Sequence, residues 1–172
     1  RLLGPDITLT YVLRADPDII QLDRTAFAQI VLNLVINARD AMPGAGQIQV
    51  ETGNCQAGRV LLSVSDQGEG IAPEVLDSIF EPFFTTKAVN KGTGLGLSTV
   101  FSIVEQSKGS IEVHSVLSKG TTFSLNWPPG EGTGDLVREV KSLNGKPPTQ
   151  TILVVEDSDP VRQVFVSLLE RE

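Results

Sequence analysis

Three short motifs contain the residues of this chain whose types and spacing could do chemistry. The first is the asparagine pair Asn33 and Asn37, with Asp40 three residues further on. The second is an aspartate with two nearby glycines in segment 66–70, DQGEG. The third is the glycine-rich segment 92–97, GTGLGL. Each motif alone is weak, because short glycine motifs recur by chance, but together and in this order they predict a pocket for ATP.

Asn33, Asn37 and Asp40 form a polar stripe on a predicted helix. At 3.6 residues per turn they fall within about 60° of one another. Apolar residues flank the stripe on both sides, Leu32 among them, so we expect that the stripe does not merge into a solvated face. An unpaired buried amide costs about 1 to 3 kcal/mol, so we expect these groups to have partners. An amide oxygen is a neutral, hard donor that suits a Mg²⁺ shared with phosphates. Arg39 is predicted to point away from the stripe, as a surface or partner residue.

Asp66 follows a strand-like run and precedes two glycines, Gly68 and Gly70. Glycine lets the backbone turn sharply and approach a flat ligand closely. A carboxylate at such a turn can accept a hydrogen bond from an exocyclic amine. That would select adenine over guanine, which carries a carbonyl at the corresponding position. An isolated motif of this kind is as often a tight acidic turn with no ligand.

Segment 92–96 leads directly into a predicted helix at 98–108. Unpaired N–H groups and the positive end of the helix point at whatever lies there, and a phosphate is the natural occupant. The segment is neither a dinucleotide fingerprint nor a Walker loop, because no strand precedes it and no Gly-Lys-Ser/Thr follows. Lys87 and Lys91 bracket the preceding stretch. Each is predicted either to reach phosphate oxygens or to be a solvated surface residue.

Segment 80–87, FEPFFTTK, places three phenylalanines just ahead of this stretch. Two interpretations stay open for Phe80 and Phe83. They pack in the core, or they anchor the hinge of a mobile lid over the nucleotide.

The elements that must position these motifs can be predicted from the periodicity of apolar residues. Asp23 is a suitable N-cap for the asparagine helix, and Pro43 and Gly44 stop it. The pattern indicates an α+β fold, a two-layer sandwich with helices on one face of a mixed, mostly antiparallel sheet. The predicted strands are 7–13, 48–52, 60–65, 111–116 and 121–125, and the predicted helices are 23–42 and 98–108.

Composition limits the classes of partner. The net charge of −7 is too acidic for a nucleic-acid-binding domain, so phosphate recognition must be local. A single cysteine, Cys55, excludes an internal disulfide and favours a reducing cytoplasmic setting. The longest apolar stretch, 30–36, is short and broken by Asn33. We therefore expect no membrane contact by this segment, and any anchor of the full-length protein to lie outside it.

The order of asparagine helix, DQGEG, FEPFFTTK and GTGLGL resembles the catalytic ATP-binding domain of sensor histidine kinases. That domain has the Bergerat ATP-binding fold, which gyrase and Hsp90-type chaperones share. The resemblance runs from about residue 6 to 128. The phrase NARDAM at 37–42 and the short stretch 88–91, as a lid, look most similar to nitrogen-regulator-type and hybrid kinases.

The resemblance implies roles for individual residues. Asn37 would coordinate Mg²⁺ with the ATP phosphates, Asn33 and Lys87 would assist at the phosphates, and Asp66 would bind the adenine amine. The other residues implied in nucleotide binding are Gly68, Gly70, Ile71, Thr86, Lys91, Gly92, Thr93, Gly94, Leu95, Gly96, Leu97 and Thr121.

Two residues depart from the family pattern, and one argues against rival activities. Gln67 stands where asparagine is usual, and Asp40 stands where many relatives have a basic residue. A hydrolytic ATPase or an anti-sigma-type serine kinase of this fold carries glutamate at the position of Asn33. An asparagine cannot take a proton from water at neutral pH. A nucleotide-sensing module without transfer activity remains an alternative.

The phosphate acceptor is not apparent in this chain. His114, its single histidine, lies in a predicted strand and is interpreted as structural. The phosphorylated histidine is expected in a dimerisation domain upstream of Arg1, in a full-length protein that is a homodimer. The chain is therefore predicted to bind Mg·ATP without phosphorylating itself.

The domain boundaries predicted from composition are 1–129 for the kinase domain, 130–150 for a glycine- and proline-rich linker, and 151–172 for a further fragment. Segment 152–162, ILVVEDSDPVR, resembles the first strand and acidic pocket of a response-regulator receiver domain. Glu156 and Asp157 would then help to hold Mg²⁺. The expected partner is such a receiver domain or a separate response regulator, within a hybrid kinase.

Overall fold

The structure is a computed structural model that describes residues 6–55, 58–87 and 92–130. All of these residues belong to the first of two units, Arg1–Gly134 and Asp135–Glu172, into which the chain divides. The expected receiver strand with Glu156 and Asp157, and the linker after Gly130, lie outside the described residues. In chain order the elements are β1 (Ile7–Leu13), α1 (Arg24–Asp40), β2 (Gly46–Asn54), β3 (Val60–Asp66), a 3₁₀ helix (Pro73–Ser78), α2 (Gly96–Gln106), β4 (Ser110–Val116) and β5 (Gly120–Trp127).

The five strands form one sheet in the order β1-β2-β3-β5-β4. β1 pairs with β2 in parallel, and the other three pairs are antiparallel. The parallel pair arises because α1 connects β1 to β2 as a crossover, which parallel strands require. The α+β prediction with a mixed, mostly antiparallel sheet is confirmed.

The core lies between the sheet and the two helices. In β3 the side chains alternate between buried and half-buried, so one face of the strand packs inward. From the helix side, Ile30 and Leu34 of α1 and Val100 and Val104 of α2 are fully buried. This inward face of β3 ends at Asp66, which places a carboxylate at the end of an otherwise apolar row.

Helix α1 begins at the predicted N-cap and ends two residues before the predicted end. Asp23 is the N-cap, and its Oδ1 accepts hydrogen bonds from the backbone N–H of Thr25 at 2.9 Å and of Ala26 at 3.0 Å. At the other end, the N–H of Ala41 donates to the carbonyl of Asn37 at 3.0 Å. The asparagine motif, residues 33–40, therefore lies at the C-terminal end of α1.

The 3₁₀ helix Pro73–Ser78 was not predicted. Proline in its first turn suits a helix start. The segment is too short for its apolar residues to show a helical period, so their spacing could not predict it. Among the described residues, the helices are too short or too polar to cross a membrane.

Candidate functional site

A cavity of about 700 Å³ lies between the C-terminal half of α1, the end of β3 and the start of α2. Its volume is within the range of small-molecule and cofactor sites. All three motifs contribute to its walls. The predicted site residues that line it are Asn33, Asn37, Asp66, Gly70, Ile71, Thr86, Lys87, Gly92, Thr93, Gly94, Gly96, Leu97 and Thr121.

Three predicted residues are placed differently. Gly68 and Leu95 are neighbours in sequence of residues that line the cavity, but they do not line it themselves. A Cβ added at Gly68 would lie 2.6 Å from the carbonyl oxygen of Ala41, so the loop after β3 approaches the end of α1 too closely for a side chain. Lys91 lies outside the described residues.

Asp66 lies at the buried end of the cavity and is 9% exposed. Its Oδ1 accepts hydrogen bonds from the backbone N–H of Gly68 at 2.8 Å and of Thr121 at 3.2 Å. Burial raises the pKa of Asp66 above its usual value, although both N–H groups act in the opposite direction. Among the described residues no group donates to Oδ2, so that oxygen is the one available to a ligand.

Ser115 fixes the backbone on the same side of the cavity, and sequence reasoning missed it. Its Oγ accepts a hydrogen bond from the N–H of Ile71 at 2.7 Å and lies 2.9 Å from Oγ1 of Thr121. Ser115 is the partner of Thr121 in the pairing of β4 with β5. The signal that could have identified Ser115 is its position opposite the predicted site residue Thr121. That position follows once the register of the β4–β5 hairpin is assumed.

The asparagines face the beginning of α2. Asn33 and Asn37 are half-buried, and a Cβ added at Gly96, the first residue of α2, would lie 3.6 Å from Asn33 Oδ1 and 3.9 Å from Asn37 Nδ2. The N-cap residue, Leu95, makes no side-chain capping bond. The amides and the N-terminus of a helix thus meet at one wall, an environment that favours an anion and its counter-cation.

A charged cluster lies beside Asn37. Lys87 Nζ is 2.7 Å from Asp40 Oδ2 and 3.4 Å from Asn37 Oδ1. Arg39 donates to Asp40 Oδ1 from both Nε and NH2, at 2.9 and 2.6 Å. Partial burial raises the pKa of Asp40, but the hydrogen bonds from Lys87 and Arg39 outweigh this effect, and the pKa lies below its usual value.

Two expectations about α1 were wrong. Arg39 lines the cavity instead of pointing away, because its long side chain bends back to the carboxylate of Asp40. Helical geometry predicts the direction of Cβ only. Leu32 is 45% exposed, so the polar stripe borders solvent on that side.

The two phenylalanines have different environments. Phe80 is half-buried and packs against Phe101, with ring centroids 5.3 Å apart, as the core interpretation predicts. Phe83 is 73% exposed, so the core interpretation is wrong for it. The N–H of Phe83 donates to the carbonyl of Gly94 at 2.9 Å, which joins segment 80–87 to the glycine-rich segment.

The oxygens at this wall suit a cation. The ammonium of Lys87 already lies within hydrogen-bonding distance of Asn37 Oδ1 and Asp40 Oδ2. Both are hard oxygen donors of the kind that Mg²⁺ prefers. The residues present therefore fit a magnesium ion that shares its remaining ligands with phosphate and water.

Comparison with known proteins agrees with this geometry. The family model described as histidine kinase-, DNA gyrase B- and HSP90-like ATPase matches residues 22–131. The sensor kinase CckA of Brucella abortus (strain 2308) is 40% identical over 195 residues, which cover 99% of this chain and 20% of CckA. The chain thus spans about a fifth of the length of that relative.

Solved structures show the same fold. The catalytic domain of the histidine kinase ThkA has a TM-score of 0.61 and 34% identity, covering 72% of this chain and 79% of that one. Full-length ShkA in complex with AMPPNP has a TM-score of 0.63 and 31% identity, covering 71% of this chain and 25% of that one. With the matched family, these relatives establish that the chain belongs to the histidine kinase-, DNA gyrase B- and HSP90-like ATPases, and that its domain is of the sensor histidine kinase type.

Proposed function

We propose that this domain binds Mg·ATP and supplies the γ-phosphate to a histidine of a dimerisation domain that precedes it, within a hybrid two-component kinase. The observation that supports this best is the convergence of the three motifs on one cavity, with the Asp66 carboxylate at one end and Asn37 with Lys87 at the other. The similarity to ShkA, which was solved with AMPPNP, favours a nucleoside triphosphate as the ligand.

The adenine would lie against Asp66. Because its two hydrogen bonds from the described residues go to Oδ1, Oδ2 is left to accept a hydrogen bond from the exocyclic amine. The Ile71 backbone and the Thr121 side chain, held together by Ser115, would keep the wall beside the base in place. The site would prefer adenine to guanine because the buried carboxylate accepts a hydrogen bond from the amine of adenine in a fixed direction.

The phosphates would lie between the asparagines and the start of α2. Asn37 would hold Mg²⁺, and Asn33, Lys87 and the N–H groups at Gly96 would contact phosphate oxygens. When bound, Mg²⁺ would neutralise charge on those oxygens and orient the transferred group. Phosphoryl transfer demands mainly positioning and charge neutralisation from a protein, and these residues provide both.

Transfer is favoured over hydrolysis because the described residues of this wall include no effective base. Asn33 and Asn37 carry amides, which do not accept a proton from water at neutral pH. The neighbouring carboxylate, Asp40, is held by Lys87 and Arg39, and its lowered pKa makes it a weak base. A purely sensory nucleotide module would bind ATP equally well and differ only in the absence of transfer.

The hybrid organisation rests on the resemblance of segment 152–162 to the start of a receiver domain, and one match extends over that segment. The alignment with CckA covers 99% of this chain and therefore includes most of segment 151–172. Glu156 and Asp157 would belong to a receiver domain that accepts the phosphoryl group from the histidine.

The proposal is tested by separating binding from transfer. The chain is expected to bind Mg·ATP in calorimetry and to acquire no acid-labile phosphate when incubated with it. Adding the histidine-containing domain of the same full-length protein should produce phosphohistidine on that added domain. Binding without any transfer would favour the sensory alternative, and release of inorganic phosphate at an equal rate without the added domain would favour an ATPase.

A further inference from the structure

Asp40 holds two cations at the phosphate wall of the cavity. Its Oδ2 accepts from Lys87 Nζ at 2.7 Å, and its Oδ1 accepts from Arg39. The side chains of Lys87 and Asp40 are 33% and 23% exposed, so solvent screens this pair only in part. The same ammonium lies 3.4 Å from Asn37 Oδ1, one helical turn away from Asp40 on α1.

The position of Lys87 has a consequence for nucleotide binding. The ammonium has three N–H donors, and Asp40 Oδ2 and Asn37 Oδ1 engage two of them. Lys87 must therefore release Asp40 before it can turn fully towards a phosphate. Nucleotide that arrives with Mg²⁺ brings a cation for Asn37 Oδ1 and for the carboxylate, so the ammonium can be exchanged. Nucleotide without metal brings no cation to replace the ammonium beside Asp40, so the pair of Lys87 with Asp40 stays intact.

We infer that Asp40 is a positioning residue that sequesters Lys87 from metal-free nucleotide and so makes the site selective for the magnesium complex. The inference rests on the proposed function, since it concerns the same cavity.

The first test compares ATP affinity with Mg²⁺ and with EDTA, measured by calorimetry, in the wild type and in Asp40→Asn. The variant keeps the shape of the side chain and removes its charge. Metal-free ATP should bind about tenfold more tightly, since the Lys87 ammonium is no longer paired with a carboxylate and can contact the phosphates. Affinity for Mg·ATP should not rise, because Mg²⁺ already releases the ammonium in the wild type. The dissociation constant for metal-free ATP divided by that for Mg·ATP should therefore fall.

A matched control removes one negative charge elsewhere. Glu112 is exposed on β4 and does not line the cavity. Glu112→Gln should leave the ratio unchanged. An equal fall in the ratio for this control would mean that net charge alone is responsible, and it would overturn the inference.

Lys87→Gln distinguishes sequestration from simple repulsion. If Lys87 contacts phosphate only when metal is present, this variant should weaken Mg·ATP binding about tenfold and metal-free binding by less than about twofold. The double variant Asp40→Asn with Lys87→Gln should then show none of the gain seen for Asp40→Asn alone. A full gain in the double variant would show that Asp40 acts directly on the nucleotide and would overturn the inference.

The outcomes separate the two proposals. Failure of the wild type to bind ATP in either form would overturn the proposed function and this inference with it. Normal Mg·ATP binding with an unchanged ratio in Asp40→Asn would overturn the inference alone. The Lys87→Gln comparison is independent of the folding of Asp40→Asn, and equal losses of affinity for Mg·ATP and metal-free ATP in Lys87→Gln would overturn the inference.

Discussion

Asp66 and Lys87 lie at the two ends of the cavity and contribute different kinds of interaction. Asp66 is 9% exposed and is oriented by two backbone N–H groups, so its free oxygen has a defined direction. Lys87 is more exposed and is held by an ion pair with Asp40, which a competing cation can replace. A directional acceptor suits recognition of a base, and an exchangeable cation suits recognition of phosphates.

Replacing Asp66 should change which base the site prefers. In Asp66→Asn the side chain can donate as well as accept, so the carbonyl of guanine becomes an acceptable partner. We expect Mg·ATP affinity to fall by about tenfold or more, as for loss of a hydrogen bond to a charged group, and the preference for ATP over GTP to shrink. Calorimetry with both nucleotides measures the two effects.

Asp18→Asn is the matched control for this prediction, because Asp18 is exposed and lines a separate cavity at the other end of the sheet. It should alter neither affinity. An unchanged ratio of ATP to GTP affinity in Asp66→Asn would contradict the assignment of Asp66 to the base.

At the residue scale, prediction from sequence succeeded in placing groups whose neighbours are local. Asn33, Asn37 and Asp66 line one cavity because helical spacing and a strand end determine where their backbones lie. The direction of the Arg39 side chain was mispredicted, because its conformation is set by the carboxylate next to it. Ser115 was missed because its role depends on which residue of β5 lies opposite.

At the scale of elements, the cavity exists because the end of α1, the end of β3 and the start of α2 converge. The N–H of Glu69 donates to the carbonyl of Ala41 at 3.0 Å, which joins the loop after β3 to the end of α1. The N–H of Phe83 donates to the carbonyl of Gly94 just before α2. One backbone hydrogen bond thus connects the acidic motif to the end of α1, and the other connects segment 80–87 to the glycine-rich segment.

Gly94 should be sensitive to any side chain. Its φ is +66°, and an added Cβ would lie 2.6 Å from the Cα of Phe83. Gly94→Ala should lower the free energy of unfolding by about 1 to 2 kcal/mol from backbone strain alone, and more if the contact cannot relax. Mg·ATP affinity should fall with it, because the connection between Phe83 and Gly94 would open. Denaturant titration and calorimetry measure these two quantities.

Gly53→Ala is the matched control. Gly53 lies in β2, its φ is outside the left-handed region, and an added Cβ would have no atom within 4 Å. It should leave ATP affinity as it is. Normal affinity in Gly94→Ala would show that the Phe83 to Gly94 connection does not shape the site.

Element bounds were predictable because their signals are local. The predicted helix 23–42 is observed as Arg24–Asp40, with the expected N-cap. The strands differ from their predicted bounds by two residues or fewer at each end. The order of the strands was not predicted, since it depends on which hydrophobic faces meet in three dimensions.

At the scale of the whole molecule, the described part of the site lies within one unit of the chain. Every described residue that lines the cavity lies within Arg1–Gly134. A chain of residues 1–134 is therefore expected to fold and to bind Mg·ATP within about twofold of the affinity of the full 172 residues, as a domain with its own core does.

Thermal unfolding and calorimetry on the shortened chain test this expectation. A chain that ends at residue 119 is the control: it lacks β5, with buried Phe123, Leu125 and Trp127, and should not fold cooperatively. A large loss of affinity in the 1–134 chain would show that the segment after it contributes to the site.

The sequence alone determined which chemical groups this domain carries and the elements on which they lie, because capping, helical periodicity and strand alternation act over a few residues. The tertiary structure decided what these groups contact. Lys87 and Asp40 are 47 residues apart, and Asp66 and Thr121 are 55 apart. Their hydrogen bonds exist because the packed core brings the end of α1, the end of β3 and β5 together, and no local pattern specifies such contacts.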